Sequence, residues 1–149
     1  MNKLKYNKNS GDPIYGNQLI ELIVNNLMKK GKKKLAYRLC YQTMHQITQV
    51  EKKDAMEIFE LAIRNATPQV EVSSRPGSIR QVPRAIEGER GTALAIRWIL
   101  DAGRVNKSGR NMVAKLSAEF IDASKNMGNA IRKRESVHRM AEANKVFAQ

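Results

Sequence analysis

The sequence predicts a mainly α fold, a six-helix domain with one β-hairpin protruding between the third and fourth helices. Three observations carry that reading. Apolar residues recur at helical spacing in six stretches, and one short stretch alternates with period two around a Pro-Gly pair. Aromatic residues make up only 5% of the chain, which leaves a core of Leu, Ile, Val, Ala and Met. At 149 residues the chain has the length of one domain of roughly 100–200 residues, enough to bury about two-thirds of its unfolded surface.

Taken in order, residues 1–12 form a basic arm with Lys3, Lys5 and Lys8 among Asn, Ser and Gly. It is too polar to bury a face of its own and is expected to be flexible until a partner orders it. The helical domain spans 13–149. From Asn17 the residues Leu19, Ile20, Ile23, Leu27 and Met28 define the first helix, with Gly31 placed to cap it. A second helix covers about Lys34 to Val50, with Leu35, Leu39, Cys40, Met44 and Ile47 on its inner stripe. A third covers about Asp54 to Asn65, with Met56, Phe59, Ala62 and Ile63 inward, and Pro68 prevents its continuation. Residues 69–83 change character: Val70 and Val72 alternate with polar residues, and Pro76-Gly77 marks the turn of a β-ribbon. The fourth helix, Glu87 to Ala102, groups Leu94, Ala95, Trp98 and Ile99 and closes at Gly103. The fifth runs from Met112 to Asn126 over Val113, Leu116, Phe120 and Ala123. The sixth, about Glu135 to Ala148, turns Val137, Met140, Ala141, Asn144 and Phe147 inward.

Charge narrows the function. Twenty-seven Lys and Arg against 14 Asp and Glu give a net charge of +13, a surplus that repels itself and calls for a polyanionic partner. The surplus is segregated. Residues 1–38 hold nine bases and two acids, whereas residues 51–71 hold three bases and five acids. A surface serving only solubility would mix the signs. Three basic runs fall at element junctions. The densest is Lys29, Lys30, Lys32, Lys33 and Lys34 around Gly31. The second is the loop from Gly103 to Arg110, which carries Arg104, Lys107 and Arg110, and the third is Arg132, Lys133 and Arg134. Lysines at a turn offer mobile ammonium groups to phosphates and no rigid fork for base edges, so backbone contacts are expected. An anionic membrane surface is the competing partner, but it requires a basic helix flanked by exposed aromatics that the sequence lacks.

No catalytic constellation emerges, and no enzymatic activity, small-molecule substrate, cofactor or metal is expected. Gly31-Lys32 lacks the upstream glycine of a P-loop, and Lys33 stands where Ser or Thr is needed. His45 and His138 are far apart and without metal-ligand spacing. Cys40, the single cysteine, lies on an apolar stripe and reads as a small buried hydrophobe. Glu87 and Glu89 suit a helix start. No apolar run approaches the roughly 20 residues of a membrane span.

The spacing Asn17-x-Leu19, Ile23-Val24, Gly31-Lys32-Lys33, Leu39-Cys40 and Thr43 resembles the signature of ribosomal protein seven of the small subunit, in its bacterial and organellar form. Three further stretches agree: Asp12 to Asn17, Ala93 to Ile99, and Arg134 to Asn144. The resemblance runs in unbroken order from residue 12. It implies a six-helix domain with a β-ribbon that binds the 3′ major (head) domain of small-subunit rRNA and nucleates head assembly. It also implies a position near the E-site tRNA and the mRNA exit, which a neighbouring small-subunit protein completes. Carried over, Lys32, Lys33, Lys34 and the basic arm hold rRNA, and Arg75 and Arg80 in the ribbon, with Arg84 just beyond, face tRNA or mRNA. The family usually has a longer ribbon tip with two adjacent glycines. The residues alone also permit a free-standing basic RNA- or DNA-binding module. Frequent Asn and Lys, with a C-terminal stretch similar to α-proteobacterial relatives, favour a mitochondrial ribosome; a plastid or a bacterium is the alternative.

Overall fold

A computed structural model describes residues 11–74, 77, 81–106 and 111–148. The elements run α1 (Gln18–Leu27), α2 (Lys33–Glu51), α3 (Ala55–Ala66), β1 (Val70–Ser74), β2 (Gln81–Ala85), α4 (Gly88–Val105), α5 (Met112–Ser124) and α6 (Asn129–Ala143), then a 3-10 turn, Lys145–Ala148. Six helices and a hairpin between the third and fourth are therefore what forms. Short polar side chains start several of them. Asn17 accepts from the Leu19 and Ile20 amides, Asp54 from Met56, and Asn111 from Ala114, each supplying an acceptor to a first-turn N–H that has none in the helix.

Helix α5 runs through the middle, packed on α2, α3 and α4. Its Phe120 meets Phe59 of α3 with ring centroids 4.4 Å apart and planes tilted by 39°. Ile23, Leu27, Cys40, Leu100 and Leu116 border the pair, all of them buried. Gly103 does not end α4 as the sequence suggested; the helix continues to Val105. A Cβ there would stand 2.7 Å from Cδ2 of buried Leu116, so the glycine lets α4 and α5 approach rather than breaking the chain.

The largest difference from expectation is α6, which starts at Asn129, six residues before the predicted Glu135. Ala130 and Ile131 are buried and draw this first turn into the core. Further along, Ala141 is buried but Met140 is 44% exposed, so the predicted inner stripe holds only in part; the side chain of Phe147 lies outside the described residues. The hairpin is antiparallel, paired from Val70 with Ala85 to Ser74 with Gln81. Its root is anchored: the Gln69 amide donates to His138 Nε2 of α6 at 3.1 Å, and Arg90 makes a two-pronged contact with Glu71. Buried Val82 adds an apolar foothold.

Ahead of α1, the chain wraps around Asp12, only 2% exposed. Its carboxylate accepts from the amides of Ile14, Tyr15 and Asn17 and from the Tyr41 hydroxyl, at 2.7 to 3.1 Å. Burial alone raises this carboxyl, but the four hydrogen bonds to its charged form outweigh burial and hold it below its ordinary value. A folded value below the unfolded one means that the native state binds fewer protons. The stabilisation is complete above the unfolded value of 3.8 and is lost as pH falls through the folded value. Asp12→Asn should lower stability near neutral pH by about 1–3 kcal/mol and flatten the acid limb of a thermal-stability profile below that value. Identical acid limbs in the two proteins would contradict this role.

Candidate nucleic-acid interface

The first basic corner is shaped by backbone. Helix α1 stops at Leu27, four residues before the glycine expected to cap it, and Met28 is extended. Lys30 (φ +54°) and Gly31 (φ +74°) then both take the left-handed conformation and turn the chain into α2. Lys29, Lys30, Lys32 and Lys34 emerge exposed, and none forms an ion pair among the described residues. Lys32 occupies the N-cap position, and the first turn of α2 carries Lys33 and Lys34 with no acid. Cations at a helix N-terminus face its positive dipole end, an arrangement unfavourable to the free protein and favourable to a bound anion. Lys33 behaves differently from its neighbours. Its Nζ lies 2.7 Å from Glu21 and 5.6 Å from the centroid of the Tyr37 ring, and the Tyr37 hydroxyl also donates to Glu21. The hydrogen bond to Glu21 raises the Lys33 ammonium above its ordinary value, and Lys33 thereby pins α2 to α1.

One member of the second corner, Arg104, lies beside the first. Arg104, in the last turn of α4, pairs with Asp101 at 3.0 Å and reaches across to the Asn26 carbonyl at the end of α1. A groove of about 410 Å³ lies where they meet, bounded by Lys29, Lys30, Lys32 and Arg104. Its interior is apolar, with Leu27, Met28, Leu35, Leu39 and Met112. Spacing assigns Leu35 to the core stripe, yet it is 45% exposed at this groove. The stripe holds at Cys40, Met44 and Ile47, which are buried, while Leu35 at its start opens onto the groove. Lys29 belongs to the lysine cluster of the sequence without being singled out there as a contact.

At the third run, Arg132 and Lys133 stand exposed on the opening turns of α6 rather than in a loop. Arg134 turns inward, half-buried, and donates to the Asn65 carbonyl at the end of α3, so part of its hydrogen-bonding capacity already serves the fold. Between the second and third runs sits Glu119 of α5, 1% exposed. Its Oε1 accepts from the Ala130 amide at 3.1 Å, and the Asn129 amide and the Asn106 side chain also hydrogen-bond to it. Burial pushes this carboxyl above its ordinary value, partly offset by the Ala130 amide and the other donors. Local sequence signals could not reveal this cap, because it comes from another helix. On the hairpin, Arg84 is exposed opposite Glu71. The remaining candidates, Lys3, Lys5, Lys8, Arg75, Arg80, Lys107 and Arg110, lie outside the described residues.

The titratable residues that could suggest chemistry have ordinary surroundings. Burial pushes the Cys40 thiol up to about 12, with the Asp12 charge adding to the shift, so it stays protonated. His45 is exposed beside Gln49, and His138 holds the hairpin root. Among the described residues no group of three or more His, Cys, Asp or Glu is placed to hold a metal ion. No helix there is long and apolar enough to cross a membrane.

Comparison with known proteins agrees with this geometry. The family described as ribosomal protein S7p/S5e matches residues 2–145. The small ribosomal subunit protein uS7c of Nephroselmis olivacea is 55% identical over 141 residues, covering 93% of this chain and 90% of the relative. The proteins of the same name from Chlorella vulgaris and Ostreococcus tauri are each 55% identical, covering 93% and 92% of this chain and 89% and 88% of theirs. A six-helix domain with its hairpin after α3, lysines and Arg104 gathered at one groove, and a match along almost the whole length lead to one assignment: the chain belongs to the ribosomal protein S7p/S5e family.

Proposed function

We propose that this protein is a structural constituent of the small ribosomal subunit that binds the head (3′ major) domain of its rRNA and nucleates assembly of the head. The observation that carries the reading is the groove corner. Exposed Lys29, Lys30, Lys32 and Lys34, without acidic partners among the described residues, crowd the positive end of α2 and are joined there by Arg104. Such an arrangement costs stability in the free chain unless an anion is bound, and phosphates supply that anion along a polynucleotide. Residues 13–149 serve as the rRNA-binding domain, with Arg132 and Lys133 as further contacts and the arm 1–12 contributing Lys3, Lys5 and Lys8. Neighbouring small-subunit proteins complete the particle, and no catalytic step is assigned. The compartment we favour is a plastid ribosome rather than the mitochondrial one suggested by composition, because relatives at 55% identity carry the plastid-type name uS7c. Tagged full-length protein should sediment in sucrose gradients in equimolar proportion to small-subunit rRNA. Spread through the light fractions, with footprints on unrelated nucleic acid, would instead establish a free-standing binding module.

The ribbon is assigned to the E-site tRNA and mRNA exit, through Arg75, Arg80 and Arg84. Its root is held by Gln69–His138, Glu71–Arg90 and Val82. Deleting residues 75–80 and closing the strands with Asn-Gly should therefore leave folding and primary rRNA binding intact. Translating ribosomes should then lose E-site tRNA sooner or make more reading-frame errors. Failed assembly of a folded variant would turn the ribbon into an rRNA anchor, and unchanged translation would remove its role.

A further inference from the structure

We propose that the groove between the α1–α2 corner and the end of α4 seats one unpaired, extruded nucleotide of the rRNA, with its base on the apolar floor and its flanking phosphates on the lysine rim. The proposal rests on the rRNA-binding reading above and specifies what that site recognises. Lysines alone are satisfied by any duplex backbone, but a duplex would leave Leu35 and the floor of Leu39 and Met112 facing phosphates and water. An RNA-binding surface that needs only phosphates has no use for a large aliphatic side chain 45% exposed among them. Unstacked bases in loops and bulges are what proteins recognise in RNA beyond shape, because only they can be splayed onto a protein surface. The groove's volume of about 410 Å³ lies at the lower end of ligand-sized sites. Its charge selects among occupants. Among the described residues no acidic side chain lines it, and Lys29, Lys30, Lys32 and Arg104 form its rim. A cationic peptide is repelled by that rim. An apolar ring system carrying negative charge on both sides fits.

The test uses the full chain, a transcript of the head domain of the cognate rRNA, salt titration and chemical probing of base edges. Leu35→Ala should melt like the wild type, because the side chain is largely outside the core. It should weaken binding roughly tenfold with an unchanged salt slope, and one unpaired nucleotide protected by the wild type should become reactive. Leu35→Met, which keeps the apolar bulk, should restore both. Lys32→Ala should instead lower the salt slope. Wild-type binding with an unaffected Leu35→Ala and no newly reactive nucleotide overturns the groove proposal while leaving rRNA binding in place. A defect of Leu35→Ala seen only in assembled subunits, never on the naked transcript, makes the occupant a protein segment and overturns it too. If the wild type does not bind the transcript, the rRNA-binding reading fails, and this proposal with it.

Discussion

Replacing Phe120 with Ala should destabilise the domain by about 3–5 kcal/mol, more than any other single change considered. The ring is 1% exposed and packs against Phe59 at 4.4 Å between centroids. Truncation removes both the buried area and an aromatic pair, at the point where α3 and α5 meet. Little room for relaxation exists, since Leu116 on the same helix is already close-packed on Gly103. A domain of this size has a total of about 5–15 kcal/mol, so the variant should melt roughly 10 °C or more below the wild type. Phe120 has no part in the basic corners, and at low temperature the folded fraction should bind RNA with the wild-type salt slope. A melting temperature equal to the wild type would mean that the α3–α5 contact is not the centre of the core.

The second large effect is electrostatic and has the opposite relation to stability. Lys29, Lys32 and Lys34 replaced together by Ala should weaken rRNA binding by about a hundredfold near 0.15 M salt, from a slope change of about 0.7–0.9 per lost phosphate contact. The same variant should melt no lower than the wild type, because it removes cations from the positive end of α2. Lys30 is left in place so that the left-handed turn at residues 30 and 31 keeps its native sequence. Lys33→Ala provides the contrast. That side chain is committed to Glu21 and Tyr37, and its loss should barely change the slope. Weaker binding together with undiminished stability separates a binding surface from a structural one; a slope unchanged in the triple variant would remove these lysines from the interface.

What the sequence made legible follows from where each signal is stored. The first three helices were readable because Asn17 and Asp54 sit beside the turns they cap, and because Pro68 lies just beyond the last of them. The hairpin was readable from Val70, Val72 and Pro76-Gly77, although its second strand runs through Pro83 to Ala85, two residues past the predicted end of the ribbon. The start of α6 was not readable. Gly128, Arg132 and Lys133 look like a loop, and the acceptor that permits a helix there belongs to Glu119, which is distant along the chain. Gly103 misled for a related reason: a glycine that ends a helix and one that admits a neighbouring Leu116 are identical in sequence. At the candidate interface, charge density identified the lysine corner, but spacing alone could not tell that Lys33 and Arg134 are partly committed within the fold. Nor could it show that Leu35 forms part of a groove. That Arg104 reaches the end of α1 is a property of helix packing.

Glu119 has a consequence for how the basic segments respond to one another. One carboxylate serves as acceptor for Asn106, beside the second basic run, and for the opening turn of α6, which carries the third. Two segments that share an acceptor are not energetically independent, and effects at such sites depart from additivity by about 0.5–3 kcal/mol. Asn106 and the opening turn of α6 are therefore held through one carboxylate, and a change that displaces it releases both. Thermodynamic reciprocity makes the coupling mutual: whatever fixes Asn106 favours the α6 cap, and whatever fixes the cap favours Asn106 by the same factor.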